Sequence, residues 1–350
     1  MRILGGPMSV PLHDPLAFAG RVERRTVTSR ALEGNPLGDP HVRDLPVYVP
    51  PGEHGPLPVV FLLAGFTGRG ASMLETHPWR LGSIAKYDAL VAKGEAPPVL
   101  LAMPDAFTAI GGSQYVNSSA VGHYEDYVAD ELVPFVDEHY DTLPGARGVC
   151  GKSSGGFGAL HLAMRRAGLF QAVASIAGDS HFEFGYASDF LAAARGLEAS
   201  GKTPAEYLAA FLQKPDLSGD GHSVINLLAM AACYSPNPDT ELGFDLPIDL
   251  RTGERIPAVW SRWLGFDPVV IADVYGDALR KVRWLHLSAG KRDEFHLQFS
   301  CRILARRLAE LGIPAIHEEF DGGHFGLDAR YLEVLPPMVR ALTGLSGDSE

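Results

Sequence analysis

The stretch GVCGKSSGGFG, Gly148 to Gly158, constrains this chain more than any other. It demands a strand that turns sharply into a helix. An apolar segment precedes it. GALHLAMRRAG (158–168) follows, helical in pattern and closed by Gly168, a C-terminal stop. Two incompatible patterns overlap here. GKS can end a phosphate-binding loop, G-x-x-x-x-G-K-[ST], but that loop needs glycine at position 146, which is Ala146; Gly145 is one place too early. A shortened loop loses the N–H groups that must wrap the phosphates. The second pattern is G-x-S-x-G, a turn that holds a serine in a strained backbone conformation. Side chains two before and two after that serine would collide, and here both positions are glycine, Gly151 and Gly155. Gly156 and Gly158 let the following helix approach the sheet. Ser153 is therefore read as a candidate nucleophile.

The rest of the chain repeats the strand–helix alternation. Short apolar runs bounded by Gly or Pro occur at PVVFLLAG (58–65), PVLLAMPD (98–105), RGVCG (147–151), AVASIAG (172–178), WLHLSAG (284–290) and AIHEEFD (315–321). Continuous apolar runs predict strands covered on both faces, as in a parallel sheet. VERRTVTSRAL (22–32) reads as an edge strand with LPVYVPP as its partner. Helical patterns fall at 124–140, 158–168, 299–312 and 331–342. The fold class expected is α/β, with a mostly parallel, doubly wound sheet. About a hundred residues separate AVASIAG from WLHLSAG and break the rhythm. They hold helical pieces and an expected hairpin, LPIDLRTGERIPAVW, turning at Thr252-Gly253. Residues 1–350 are expected to form one domain, with 182–275 inserted as a helical cap over one end of the sheet.

Acidic residues outnumber basic ones, 42 to 30, for a formal charge of −12. That balance argues against a nucleic-acid partner, which needs a basic face. Cys150, Cys233 and Cys301 are too sparse and too odd in number for a disulfide framework, and no CxxC pair suggests zinc. No spaced His/Asp set argues for a metal, and no cofactor is expected. No apolar run reaches membrane-spanning length, and MRILGGPMSVPLHDP lacks the long apolar core of a signal peptide. The expectation is a soluble cytoplasmic protein acting on a small molecule, with a homo-oligomer possible and the oligomeric state not readable from sequence.

A serine hydroxyl needs a base and an acid to orient it. His324, in FDGGHFG, follows a strand, precedes the last helix and is flanked by glycines that let a loop present the imidazole. His286 and His317 lie within strands, and His296 is the reserve. The acid should follow the preceding strand, where LSAGKRDEF offers Asp293 and Glu294. The shorter carboxylate favours Asp293 and leaves Glu294 as a first-turn helix residue; Asp321 is too near His324 in sequence. The oxyanion donors expected are the N–H of Ser154, after the nucleophile, and that of Phe66 in LLAGFTG (62–68), with Thr67 next.

FLLAGFTG, MPDAFTAIGGSQYVNS, GHYEDYVADELVPFVDEHY, GKSSGGFGAL, GKRDEF and FDGGHFG, in this order, resemble the esterase D family of α/β-hydrolases. That group includes S-formylglutathione hydrolases, enterochelin-esterase-like proteins, feruloyl esterases and mycolyltransferases. The resemblance spans roughly residues 20–345 and implies the α/β-hydrolase fold. Its acid pattern, G-x-x-D-x-[FY], falls on Gly290, Asp293 and Phe295. Ala64 stands where many relatives carry His or Asp before the oxyanion-loop glycine. The activity implied is that of a serine carboxylic-ester hydrolase on small to medium acyl esters, through an acyl-enzyme. An acyltransferase using the same residues and a thioesterase of the S-formylglutathione hydrolase type are the alternatives. An intact Ser–Asp–His set argues against a non-catalytic binding protein.

Six further residues are candidate substrate contacts. Gln114, Tyr115 and Asn117 lie in a loop expected beside the oxyanion loop. His181 follows the strand after the elbow helix. Trp260 and Trp263 share a face of a helix in the inserted segment.

Overall fold

The computed structural model describes residues 18–344 except 75, 78 and 79; most of the Pro- and Gly-rich start, expected to lie over the surface, falls outside them. Eight strands build the central sheet: β1 (Arg21–Thr28), β2 (Val42–Val49), β3 (Leu57–Leu63), β4 (Leu100–Ala102), β5 (Thr142–Lys152), β6 (Ala172–Ile176), β7 (Trp284–Gly290) and β8 (Ile316–Phe320). Their spatial order is β1-β2-β4-β3-β5-β6-β7-β8. β2 is antiparallel to both neighbours, and every other pair is parallel.

The apolar runs form strands because both faces of the sheet are covered. In β3, Val59, Phe61 and Leu63 join the core on one face, while Val60 and Leu62 join the core on the other. A period of two that is apolar in both phases belongs to a sheet between two helical layers. The helices that bear on the site are α1 (Ser83–Ala92), α2 (Ser154–Arg165), α3 (Phe190–Ser200), α4 (Gly221–Tyr234), α5 (Pro257–Leu264), α6 (Pro268–Leu279), α7 (Leu297–Glu310) and α8 (Tyr331–Thr343). α1 and α8 cover one face; α2, α4, α6 and most of α7 belong to the core on the other. α8 buries Tyr331, Val334, Leu335, Met338, Val339 and Leu342, a stripe at helical spacing. Each such burial contributes about 1.5–3 kcal/mol before the entropy of ordering is set against it. The Met338 tip lies 2.8 Å from where a Cβ on Gly148 would stand, so glycine there lets α8 pack closely on the strand.

Two expectations need correction. The helix over 124–140 is not continuous: Tyr124–Asp126 leads into a π-helical stretch, Tyr127–Leu132, before Val133–His139. Pro134 has no N–H to donate to the preceding turn, and a π-stretch absorbs that break. The hairpin around Thr252-Gly253 reduces to one antiparallel bridge, Ile248 with Arg255, because Pro257 already opens α5. Residues of the 182–275 segment, among them Phe190, Val224, Leu228 and Trp263, lie in the same apolar cluster as Val59, Phe61 and Val173 of the sheet.

Candidate active site

The chain just past the C-terminal ends of β3, β5, β6, β7 and β8 gathers at one edge of the sheet, where open α/β sheets bind their ligands. Past β5, Ser153 has φ 55° and ψ −127°, a conformation that L-residues avoid. The turn leaves no room for side chains around it. A Cβ on Gly151 would stand 2.3 Å from the Gly155 backbone, and one on Gly155 would stand 2.0 Å from the Leu63 carbonyl oxygen.

Past β7 and β8, the loops carrying Asp293 and His324 touch. A Cβ on Gly290 would meet the Gly322 carbonyl oxygen at 2.5 Å, so glycine permits that approach. The Asp293 side chain is wholly buried. Its Oδ1 accepts the Phe295 N–H at 2.9 Å, and its Oδ2 lies 2.8 Å from His324 Nδ1. His324 Nε2 lies 3.0 Å from Ser153 Oγ. With the proton on Nδ1, the imidazole donates to Asp293 and presents a lone pair to the serine hydroxyl. The Phe295 ring packs edge-on to the imidazole at 4.7 Å. The structure thus brings Ser153, Asp293 and His324 into one hydrogen-bonded line. Glu294 is not a first-turn helix residue: α7 begins at Leu297, and the Glu294 carboxylate accepts the His324 backbone N–H at 2.6 Å. The Lys152–Asp328 ion pair ties the elbow to the segment beyond His324.

Past β3, the Phe66 carbonyl accepts the Gly112 N–H at 2.7 Å. The Phe66 N–H donates to no group among the described residues, and Ser154 opens α2, where an N–H has no intrahelical acceptor. Both residues line a cavity of about 170 Å³, with Thr67, Lys152, Ser153, Asp179, Tyr186, His222, Asn226, Phe295, His324 and Phe325 also on its wall. Burial pushes the His222 imidazole below its ordinary value, so it is neutral at pH 7.

The six expected substrate contacts do not line this cavity. Gln114 is buried, and its amide donates to Ser154 Oγ at 2.7 Å. The Tyr115 hydroxyl, also buried, donates to the Ala64 carbonyl at 2.9 Å and so braces the start of the loop past β3. Asn117 pairs with Asp126, and the His181 ring packs on Phe184. Trp260 and Trp263 are buried among Phe190, Tyr186 and Tyr234, with their N–H groups on Glu183 and Ser235. Their shared helical face is a packing face, one layer behind the wall that Tyr186 provides. Trp263→Ala should therefore lower stability by about 3–5 kcal/mol in chemical denaturation and leave the relative rates on short and long esters unchanged.

Asp179, past β6, was not anticipated. Its signal lay in AGDS, an acid three residues beyond a strand end at the ligand-binding edge. It is 8% exposed and lines the cavity. Burial raises its carboxyl from 3.8 to about 6, against hydrogen bonds from Tyr186 and Ser154 and the nearby His324, which lower it. An acid whose folded value is raised gives its full stability below the unfolded value and loses it as pH rises through the folded one. From pH 4 to above about 6 the fold thus loses about 3 kcal/mol at this residue. Asp179→Asn should melt at higher temperature than the parent at pH 8, and the difference should close towards pH 4.

The Esterase family model matches residues 40–328, a span that contains Ser153, Asp293 and His324. No curated protein matches the chain. Among solved structures, a ferulic acid esterase is 19% identical with a TM-score of 0.58, covering 93% of this chain and 100% of its own. An S-formylglutathione hydrolase from Agrobacterium tumefaciens is 15% identical with a TM-score of 0.56, covering 93% of this chain and 97% of its own. A fluorophosphonate-binding serine hydrolase from Staphylococcus aureus is 15% identical with a TM-score of 0.55, covering 94% and 99%. At these identities the likeness is one of fold, the α/β-hydrolase fold.

Proposed function

This chain belongs to the Esterase family, and from that premise we propose that it is a serine ester hydrolase in which Ser153, His324 and Asp293 carry the reaction on small acyl esters. The observation that carries the proposal is the unbroken hydrogen-bond line from Asp293 through His324 to a serine on a strained elbow. Ser153 Oγ attacks the ester carbonyl carbon while His324 Nε2 takes its proton. Asp293 fixes the ring and stabilises the imidazolium. The N–H groups of Phe66 and Ser154 stabilise the oxyanion. Collapse breaks the bond to the alkoxide, which leaves with the proton from His324. Water then attacks the acyl-Ser153 with the same base, releasing the acid and restoring the serine.

Residues 182–275 act as a cap whose Tyr186, His222 and Asn226 narrow the cleft and limit substrate size. Support comes from their position on the cavity wall and from its volume, about 170 Å³. Cavities near ~150 Å³ hold a benzene-sized guest. A p-nitrophenyl ester series from C2 to C12 tests this. The expected kcat/KM is highest at C2–C4 and falls with length. Absence of hydrolysis, or a maximum at C10–C12, contradicts it.

A further inference from the structure

Asp179 has no role in the reaction above, yet its carboxylate sits in the cavity that holds Ser153. Its Oδ2 accepts the Tyr186 hydroxyl at 2.8 Å and the Ser154 hydroxyl at 3.3 Å. Those donors belong to a network of buried polar groups. Gln114 donates to Ser154 at 2.7 Å, Tyr234 reaches Gln114 Oε1 at 3.3 Å, and the Tyr186 and Tyr234 hydroxyls are 3.3 Å apart. Every member is buried, and the hydroxyls of Ser154 and Tyr186 both point their protons at Asp179. Two hydroxyl donors converging on Oδ2 fit a carboxylate and fix its position.

The other oxygen, Oδ1, has no partner among the described residues. Nor does a Lys or Arg of the described cavity wall pair with it: Lys152 is engaged by Asp328, and the nearby His324 opposes the carboxylate's charge only while its imidazole is protonated. A buried anion left without a cation is costly, and the hydrogen bonds of Tyr186 and Ser154 offset that only in part. An asparagine could keep both of those bonds without the charge. The carboxylate is thus explained by a ligand that brings the missing cation, and the acidic surface of the protein, with formal charge −12, draws cations towards it.

Resting on the esterase reading, we propose that Asp179 is a specificity-determining anion for esters carrying an ammonium group, whose charge it meets beside the nucleophile. The Asp179 carboxylate touches Ser154, the residue after the nucleophile, so a cation met by Oδ1 lies within reach of a short substrate bound at Ser153. An ammonium a few bonds from the scissile carbonyl, on the acyl or the alcohol side, fits this spacing; a long chain does not fit the cavity.

The test uses isosteric substrates on the wild type and on Asp179→Asn at pH 8. On the acyl side these are methyl 3-aminopropanoate, methyl butanoate and methyl 3-hydroxypropanoate. On the alcohol side they are acetylcholine and 3,3-dimethylbutyl acetate. Comparing the cationic-to-neutral ratio of kcat/KM between the two proteins cancels the intrinsic reactivity of each ester. The expected result, in at least one of the two sets, is a ratio about ten- to a hundredfold higher in the wild type. An unchanged ratio in both sets overturns the proposal, as does an effect as large for the hydroxy ester as for the ammonium ester. Should Asp179→Asn fail to fold, the wild type alone decides. Choline should inhibit p-nitrophenyl acetate hydrolysis at lower concentration than 3,3-dimethylbutan-1-ol, and equal inhibition overturns the proposal. A wild type that hydrolyses no ester defeats the esterase reading itself; hydrolysis without charge preference defeats only the role of Asp179.

Discussion

Ser153→Ala is expected to lower kcat for ester hydrolysis by about 10⁴–10⁶ while the protein stays folded. The size of the loss follows from what the hydroxyl does: without Oγ no acyl-enzyme forms, and only binding and the oxyanion donors remain. The fold should survive because alanine keeps the Cβ and removes one atom. The cost of the backbone at φ 55° is the same for both residues. The contacts that force the turn belong to Gly151, Gly155 and Leu63, which the substitution leaves alone. Steady-state kinetics on purified protein, with circular dichroism to check folding, would read the effect. A folded variant retaining a tenth of the parent rate would put the nucleophile elsewhere.

Asp293→Asn should lower kcat about 10⁴-fold. The two oxygens of Asp293 have different duties: Oδ1 accepts the Phe295 N–H and Oδ2 faces His324 Nδ1. An asparagine must keep its carbonyl towards Phe295, so its NH₂ turns to Nδ1. The imidazole then carries its proton on Nε2 and cannot accept the serine's. Glu294→Gln is the matched control. Glutamine still offers an oxygen to the His324 backbone N–H, so the loop holds and the loss should stay within about tenfold. The opposite ranking of these two variants would reassign the acid.

The elements that carry this chemistry were legible because their signals are local. PVVFLLAG and AVASIAG read as buried strands from their own residues. Ser153 read as a nucleophile because Gly151 and Gly155 are needed by the turn itself. Asp293 and His324 followed from their places after successive strands. The cavity wall was not legible in the same way. Gln114 and Tyr115 sit in a Gly-rich polar loop that looks solvated, yet the loop folds inward with both residues at positive φ and their side chains bracing Ser154 and Ala64. Trp260 and Trp263 gave a true helical face but no indication of which layer it faced. Tyr186, His222 and Asn226 come from two separate pieces of the 182–275 segment, and only tertiary packing brings them to one cavity. Asp179 lay in plain sight past a strand end. What hid it was the neighbouring His181, a more familiar reactive residue, whose ring turns to Phe184 instead.

Mass spectrometry of the protein after treatment with a fluorophosphonate most directly tests Ser153 as the nucleophile. One equivalent of label should appear, on the peptide containing Ser153, in step with loss of esterase activity, and Ser153→Ala should take up none. Loss of activity with the label on another residue, or with Ser153 unmodified, would contradict the account.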